Sequence, residues 1–487
     1  MGRLMLVGLL AVAVSLAGSA AYAEVQNVKV SGNIDMKGIS HHNYDLKLKQ
    51  KNESGTTGGT VPLVSNDDDA GFYLSTVHVG VDADLTDNVS AHVRLLNQRR
   101  WDTFTAGVDQ ISLDNAYVVL KEFLYSPLTV IAGRQDLNYG TGFIVGSGLL
   151  GDPETAFAAS IGREYSAFNA YDAIRLVLDY SPVTIEGVIA KINETFVTED
   201  DHDLYGVYVT YKTPDLAWWK NGVVEPYWFY KNDEAAAIVV SDSRATGTTA
   251  RTYDLNRVHT FGVRAAGSPL ENLMINAEVA AQKGEMADVA GATENRERKR
   301  LAMAADVSAR YNWTKVPWTP ATGVGWIFYS GEKGQTESGV AGIGQTDQND
   351  TFNAWDSMYR GSFATYIQDF LAGNDAGGLY ATFDTNDTSS ATNRHLIYGD
   401  VSLKPMQDVT LWGRYTHVRF AQAPRTGRST HAGDEVDVKA TYDYTEDVQL
   451  AAFGGWFFPG AYYDQPQSNI RGNDLAWTVG GSANVKF

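Results

Sequence analysis

Five arginines lie at polar positions of segments in which apolar and polar residues alternate: Arg94, Arg175, Arg264, Arg310 and Arg414. If the apolar positions face lipid, these guanidinium groups face the interior of a closed sheet. A guanidinium stays charged and binds a carboxylate through two parallel hydrogen bonds, so a row of them favours the passage of an anionic solute. The alternative is structural, in that the same arginines pair with inward Asp and Glu and stiffen the sheet.

Motifs of catalysis and metal binding are few. The chain contains no Gly-x-Ser-x-Gly, no His-Glu-x-x-His and no Gly-rich phosphate loop with lysine. Its nine histidines show no metal-ligand spacing beyond the adjacent pair His41 and His42, and it has no cysteine. We therefore predict no catalytic residue, no metal site and no cofactor. A hydrolase triad of Ser, His and a polar partner stays open as an alternative, because it leaves no local signature.

The last fourteen residues, Asp474 to Phe487, predict the kind of element that positions these arginines. Apolar residues occupy every second position from Leu475 to Phe487, and mostly small polar residues lie between them. A period of two is that of a strand with one apolar and one polar face. A terminal strand that ends on an aromatic residue resembles the closing strand of outer-membrane β-barrel proteins. The alternative is an edge strand of a soluble sandwich.

Alternating segments recur along the whole chain, and we count eighteen, from Val28–Ile39 to the terminal strand. Links after even-numbered segments are short, such as 86–88 and 181–182, whereas links after odd-numbered segments are long and polar, the longest being 331–394. An even strand number with alternately short and long links is typical of single-chain outer-membrane barrels. We predict an all-β fold: a transmembrane antiparallel β-barrel of about eighteen strands, with short periplasmic turns and long extracellular loops.

The N-terminus predicts export. Residues 4–23 are largely apolar behind Arg3 and end on Ala-Tyr-Ala, a small-x-small cleavage site. We expect a signal peptide over 1–23, cleaved after Ala23, and a single barrel domain over 24–487. A membrane anchor is the weaker alternative, because small and polar residues interrupt the apolar run. Removal of Arg3 changes the formal charge from −19 to −20. The predicted location is a Gram-negative outer membrane.

Two groups of aromatic residues predict belts at the two membrane interfaces. One group lies in the longer periplasmic turns and the other near the outer rim. They are Trp218, Trp219, Trp313 and Trp318 in the turns, and Trp456, Phe457, Tyr462 and Tyr463 at the rim.

Four stretches of the sequence carry a resemblance to a known family. Residues 132–140 read Ala-Gly-Arg-Gln-Asp-Leu-Asn-Tyr-Gly, and Arg163 and residues 168–176 follow. Looser matches lie at 352–361 and 457–463. Together they resemble the outer-membrane alginate-export porin family. The second stretch departs from that family's Phe-Asp-Ala-x-Arg-like pattern, because it reads Tyr-Asp-Ala-Ile-Arg at 171–175 with Phe168 displaced upstream.

The resemblance implies an eighteen-stranded barrel with a basic lumen, constricted by inward-folded loops, that passes acidic polysaccharide. It also implies substrate-binding roles for Arg134, Arg163, Arg175 and Arg360, which join the inward arginines named above as candidate lumen sites. Simple alternation puts Arg134 on the lipid face, so we expect it above the membrane or after a bulge.

We therefore predict an outer-membrane porin or exporter for anionic solutes, first among them alginate-like acidic polysaccharide or uronate sugars, and no enzyme. The alternatives are a general or substrate-specific diffusion porin for other small anions, a barrel-embedded hydrolase, and a structural or adhesive surface protein. Expected partners besides the sugar are outer-membrane lipid and lipopolysaccharide, the barrel-assembly machinery through the strand Asp474 to Phe487, and periplasmic export components. No nucleic-acid partner is expected.

Overall fold

The computed structural model of the chain describes residues 27–43, 70–101, 111–146, 165, 167, 169–193, 202–233, 256–286, 298–331, 351–370, 392–423, 429–463 and 474–487. The predicted signal peptide and Arg163 lie outside these residues. Within them, no helix has the length and apolar character needed to cross a membrane.

The described residues form nineteen strands. Their bounds are β1 Asn27–His42, β2 Ala70–Thr86, β3 Val89–Arg100, β4 Ser112–Leu120, β5 Leu128–Asp136, β6 Ala170–Asp179, β7 Val183–Asn193, β8 His202–Lys212, β9 Lys220–Asp233, β10 Asn256–Leu270, β11 Leu273–Met286, β12 Arg298–Asn312, β13 Ala321–Tyr329, β14 Thr351–Phe352, β15 Arg394–Met406, β16 Val409–Phe420, β17 His431–Asp443, β18 Val448–Pro459 and β19 Ala476–Lys486.

Eighteen of these strands form one closed antiparallel barrel. Each pairs with its neighbours in chain order, and β19 pairs with β1 to close the sheet. The two-residue β14 lies outside this order, because it pairs parallel with β12 while β13 pairs directly with β15. The predicted eighteen-stranded barrel is confirmed, and the terminal strand is its closing strand, as its resemblance to the last strand of outer-membrane barrels implied.

Side chains alternate between an apolar outer wall and a lumen. On β6, Ile174 and Leu176 are exposed on the outer wall, whereas Tyr171 and Ala173 are buried on the inner side. Partners in adjacent strands point to the same side of the sheet, so the pairing registers extend this assignment around the barrel. Apolar outward residues are what a lipid environment requires.

The links differ in length at the two ends of the barrel. Short turns follow β2, β6 and β17, and all of them lie at the end predicted to face the periplasm. Long links lie at the opposite end, which we call the long-loop end. The predicted alternation of short periplasmic turns and long extracellular loops is confirmed.

Two segments of the long links lie inside the barrel. We call residues 137–146 the first inner loop and residues 351–370 the second inner loop. The buried core combines Phe143, Val145, Trp355 and Ile367 from these loops with inward wall residues such as Phe229. The hydrophobic core therefore lies within the lumen, where the loops pack against the wall.

The aromatic belts differ in part from the prediction. Trp218, Trp313 and Trp318 are exposed at the short turns, as a belt requires. At the other end Phe457, Tyr462 and Tyr463 are buried in the core inside the barrel. The expectation that these three face lipid was wrong, because Phe457 has inward parity on β18, Tyr463 packs edge-on against Phe457, and Tyr462 packs against Tyr463.

Candidate functional site

The two inner loops meet and constrict the lumen. The backbone N–H of Gly146 donates to the carbonyl of Tyr359 at 2.8 Å, and that of Tyr359 donates to Ile144 at 3.0 Å. A third bond runs from the Gly361 N–H to the Gly142 carbonyl at 2.7 Å. The loops thus form a joined layer across part of the barrel.

Carboxylates of the wall and of the loop itself hold the second inner loop. Glu435 on β17 accepts the backbone N–H groups of Tyr366, Ile367 and Gln368 at 2.9, 2.7 and 2.8 Å. Within the loop, Asp369 accepts both guanidinium nitrogens of Arg360 at 3.1 Å. Buried backbone donors without a partner are costly, so these acceptors stabilise the inward position of the loop.

The first inner loop is held by a tyrosine. The Tyr139 hydroxyl donates to Glu186 on β7, and the same carboxylate accepts two bonds of 2.8 Å from Arg175 on β6. Burial and the nearby Glu186 raise the pKa of Tyr139 well above its usual range. The hydroxyl therefore stays protonated and keeps its role as donor.

The five arginines that alternation assigned to the lumen all lie on its wall, and each pairs with a carboxylate. Arg94 bonds to Asp114 and to Asp136, the latter at 3.0 Å. Arg310 and Arg414 share Asp400, at 2.9 and 3.1 Å. The other two pairs are Arg175 with Glu186 and Arg264 with Glu225.

In each of these cases the arginine side chain is more exposed to the lumen than at least one of the carboxylates that it pairs with. The side chain of Arg310 is 40% exposed while Asp400 is 2% exposed. Arg94 is 34% exposed and Asp114 1%, although its second partner Asp136 is also open to the lumen. The arginine is also the more exposed side chain in the pairs of Arg175, Arg264 and Arg414. In each of these five cases the arginine is therefore more exposed than at least one of its carboxylate partners.

Aromatic rings lie beside one of these arginines. The Arg414 guanidinium carbon lies 4.1 Å from the ring centre of Tyr398 and 5.3 Å from that of Trp412. The Tyr366 ring of the second inner loop lies 6.1 Å from Trp412. We did not single out these rings from the sequence, although Trp412 has the same inward parity on β16 as Arg414.

Arg134 does not face the lumen. It pairs in register with Ala116 and with Asp172, which is exposed on the outer wall, and it bonds to Asp172 at 3.4 Å. The expected bulge is absent from its pairings with both neighbours, so alternation decides its side. Gly133 before it has a φ of +126°, and an added Cβ would lie 2.2 Å from the Ala116 carbonyl oxygen. Only glycine fits there, which explains the glycine of the Gly-Arg-Gln sequence without a ligand.

Arg360, which the family resemblance also implies, does not present an exposed guanidinium to the lumen. Arg360 is buried within the second inner loop against Asp369 and the Phe363 ring. These contacts hold the loop, and solute binding by Arg360 stays a prediction. Arg163 lies outside the described residues.

Two buried cations that sequence reasoning missed also hold the second inner loop. Lys231 on β9 lies 3.4 Å from Asp356, and Arg300 on β12 donates to the Ala354 carbonyl at 2.7 Å. Both have inward parity near the long-loop end of their strands, which is a signal available in the sequence. Their burial follows from the inward fold of the loop, which has no periodicity of its own.

A hydroxyl, an imidazole and a carboxylate align on the lumen wall near the short turns. Ser90 Oγ lies 3.2 Å from His92 Nε2, and His92 Nδ1 lies 2.6 Å from Asp82 Oδ1. This is the order found in serine hydrolases. However, the cross-strand partner of Ser90 is Asp84, and a carboxylate there opposes the negative charge that develops on an oxyanion. The row is therefore better explained as polar lining.

Comparisons with known proteins agree with this geometry. The sequence profile described as alginate export matches residues 43–475. Among solved structures, the outer membrane protein OpdK of Pseudomonas aeruginosa superposes with a TM-score of 0.51 at 7% identity, over 95% of this chain and 100% of that chain. OccK2 (OpdF) of Pseudomonas aeruginosa gives 0.50 at 11% identity, over 95% and 99%. At such identities the likeness shows the fold alone. No curated protein sequence matches significantly.

Proposed function

The chain belongs to the alginate export family, and we propose that it passes acidic polysaccharide of the alginate type, or uronate sugars, through its lumen. It is an outer-membrane porin or exporter of the Gram-negative type. The finer assignment, to carboxylate-bearing sugars, depends on the chemistry of the lumen wall.

One observation carries this proposal: the lumen-wall arginines expose their guanidinium groups and bury a carboxylate partner. The pair Arg310 and Asp400 is the clearest case. A solute carboxylate approaching the wall meets hydrogen-bond donors and positive charge first. A structural ion pair and an anion-attracting surface are therefore compatible at the same residue.

The rings of Tyr398 and Trp412 beside Arg414 support a sugar over a simple inorganic anion. An aromatic face offers an apolar platform, and the adjacent guanidinium offers a partner for a carboxylate on the same ring. A uronate residue has an apolar ring face for the aromatic side chain and a carboxylate for the guanidinium. Because the contacts are distributed over several strands, a polymer can move from one to the next without tight binding at any single position.

The net charge of the whole chain does not oppose this assignment. The formal charge is −19. Charges in salt solution are screened over about 8 to 10 Å, so the groups lining the lumen decide what a permeating anion meets.

Current block in planar bilayers tests the proposal. We expect short uronic-acid oligomers to interrupt the current through the reconstituted protein, and neutral oligosaccharides of equal length to do so far less. Arg310→Gln should weaken the block about fivefold, or about 1 kcal/mol, because the group is partly solvated. Equal block by neutral and acidic oligomers would contradict the proposal.

The same recordings separate the alternatives. A diffusion porin for other small anions conducts chloride selectively but shows no block by uronate oligomers. A structural or adhesive protein with a filled lumen conducts little under any of these conditions.

A further inference from the structure

Three potential metal ligands meet on the outer wall at the long-loop end. Asp434 on β17 lies between two histidines: His417 Nδ1 is 2.8 Å from one carboxylate oxygen, and His431 Nε2 is 3.2 Å from the other. One ligand atom from each of the three residues lies within 4.8 Å of the others. All three side chains are partly exposed.

An irregularity of β17 creates this cluster. The pairing with β16 shifts between Val418, which faces Gly433, and Arg419, which faces His431. Ala432 is the extra residue, so His431 points to the outer wall and not to the lumen side taken by Glu435 and Asp437.

Gly433 permits this irregularity. Its φ is +151°, and an added Cβ would lie 2.5 Å from the Phe458 carbonyl oxygen. The side chain of His431 therefore reaches Asp434 because of a local backbone shape that requires glycine.

We propose that His417, His431 and Asp434 bind one divalent transition-metal ion, with Zn²⁺ as the first candidate. Imidazole nitrogen and carboxylate oxygen are the donor types that zinc binds in proteins. Three protein ligands leave a fourth position open to water or to a donor from outside. The metal joins β16 to β17 at the long-loop end, where residues 421–430 connect the two strands, and so stiffens that end.

Two neighbouring side chains, Tyr415 and Arg419, affect the proposed metal site but are not among its ligands. The Tyr415 hydroxyl donates to Asp434 at 2.6 Å, which orients the carboxylate, as groups behind a ligand commonly do. Arg419 is a nearby positive charge, but its Nη2 donates to the Thr430 hydroxyl at 2.9 Å.

Zinc titration of the purified full-length barrel, without a polyhistidine tag, tests the site. We expect one Zn²⁺ per chain by calorimetry. Loss of a group that merely supports a ligand costs about 10- to 100-fold in affinity, so His417→Ala and Asp434→Asn should each cost at least that. His395→Ala is the matched control, because His395 also lies on the outer wall but stacks on Trp326 and Phe328.

Thermal unfolding supplies a second readout. Zn²⁺ should raise the unfolding temperature of the wild type and of His395→Ala, because a ligand that binds the folded state stabilises it. It should leave folded His417→Ala and Asp434→Asn unchanged. Absence of zinc binding to the wild type, or equal binding by the two variants, would overturn the proposal.

Discussion

At the scale of single residues, we expect ion selectivity to depend on which member of each ion pair is exposed to the lumen, more than on the presence of the pair. Arg310 and Arg414 share Asp400, which lies behind them and is almost fully buried. One carboxylate thus holds two guanidinium groups at the surface of the lumen. Deleting the acid and deleting the base should therefore change ion selectivity in opposite directions.

Asp400→Asn tests this directly. The substitution keeps the shape but removes the buried negative charge, so we expect the preference for anions to rise. The free energy of unfolding should fall by about 3 kcal/mol, because a buried ion pair loses one partner. Reversal potentials and denaturant unfolding measure the two effects. Asp87→Asn in an exposed turn is the control, and an Asp400→Asn channel with lowered anion preference would contradict this account.

Sequence reasoning placed residues on faces but could not place their partners. Alternation assigns a face from the position of a residue along its own strand alone. For that reason it also assigned Arg134 to the outer wall. The partner of Arg310 is ninety positions away, on a strand reached only after β13. Such pairs depend on strand order and register around the barrel, which no local pattern records.

At the scale of elements, the inner loops determine how much of the lumen is open. Neither loop is regular, so their positions depend on specific acceptors such as Glu435 and on contacts between the loops. Strands were predictable because of their period of two. The inward course of residues 351–370 was implied only by the family resemblance, since loops carry no such period.

Glu435→Gln should loosen the second inner loop. An amide can replace only one of the two carboxylate oxygens that accept the N–H groups of Tyr366, Ile367 and Gln368. Leaving one buried donor unpaired costs about 1–3 kcal/mol. We expect larger current noise and more frequent high-conductance openings in single-channel recordings.

The matched control for this loop is Glu446→Gln, in the exposed turn between β17 and β18. Its recordings should match the wild type. Quiet, unchanged currents from Glu435→Gln would mean that the loop does not depend on this anchor.

At the scale of the whole molecule, a strongly acidic chain forms a barrel in which five arginines of the lumen wall are each more exposed than at least one carboxylate partner. The apolar outer wall and the closed sheet follow from the sequence pattern. Which member of each pair reaches the lumen is set by packing, and we expect ion selectivity to follow from it. We propose that exposed lumen arginines, and not total charge, make the pore select anions.

The reversal potential across a salt gradient, for the double variant Arg94→Ala with Arg310→Ala, tests that claim most directly. These are the two most exposed of the lumen-wall arginines. We predict a marked loss of anion selectivity in a barrel that still folds. Arg134→Ala, which removes the same charge from the outer wall, should leave the reversal potential unchanged. An unaltered anion preference in the folded double variant, or an equal loss in Arg134→Ala, would contradict the account.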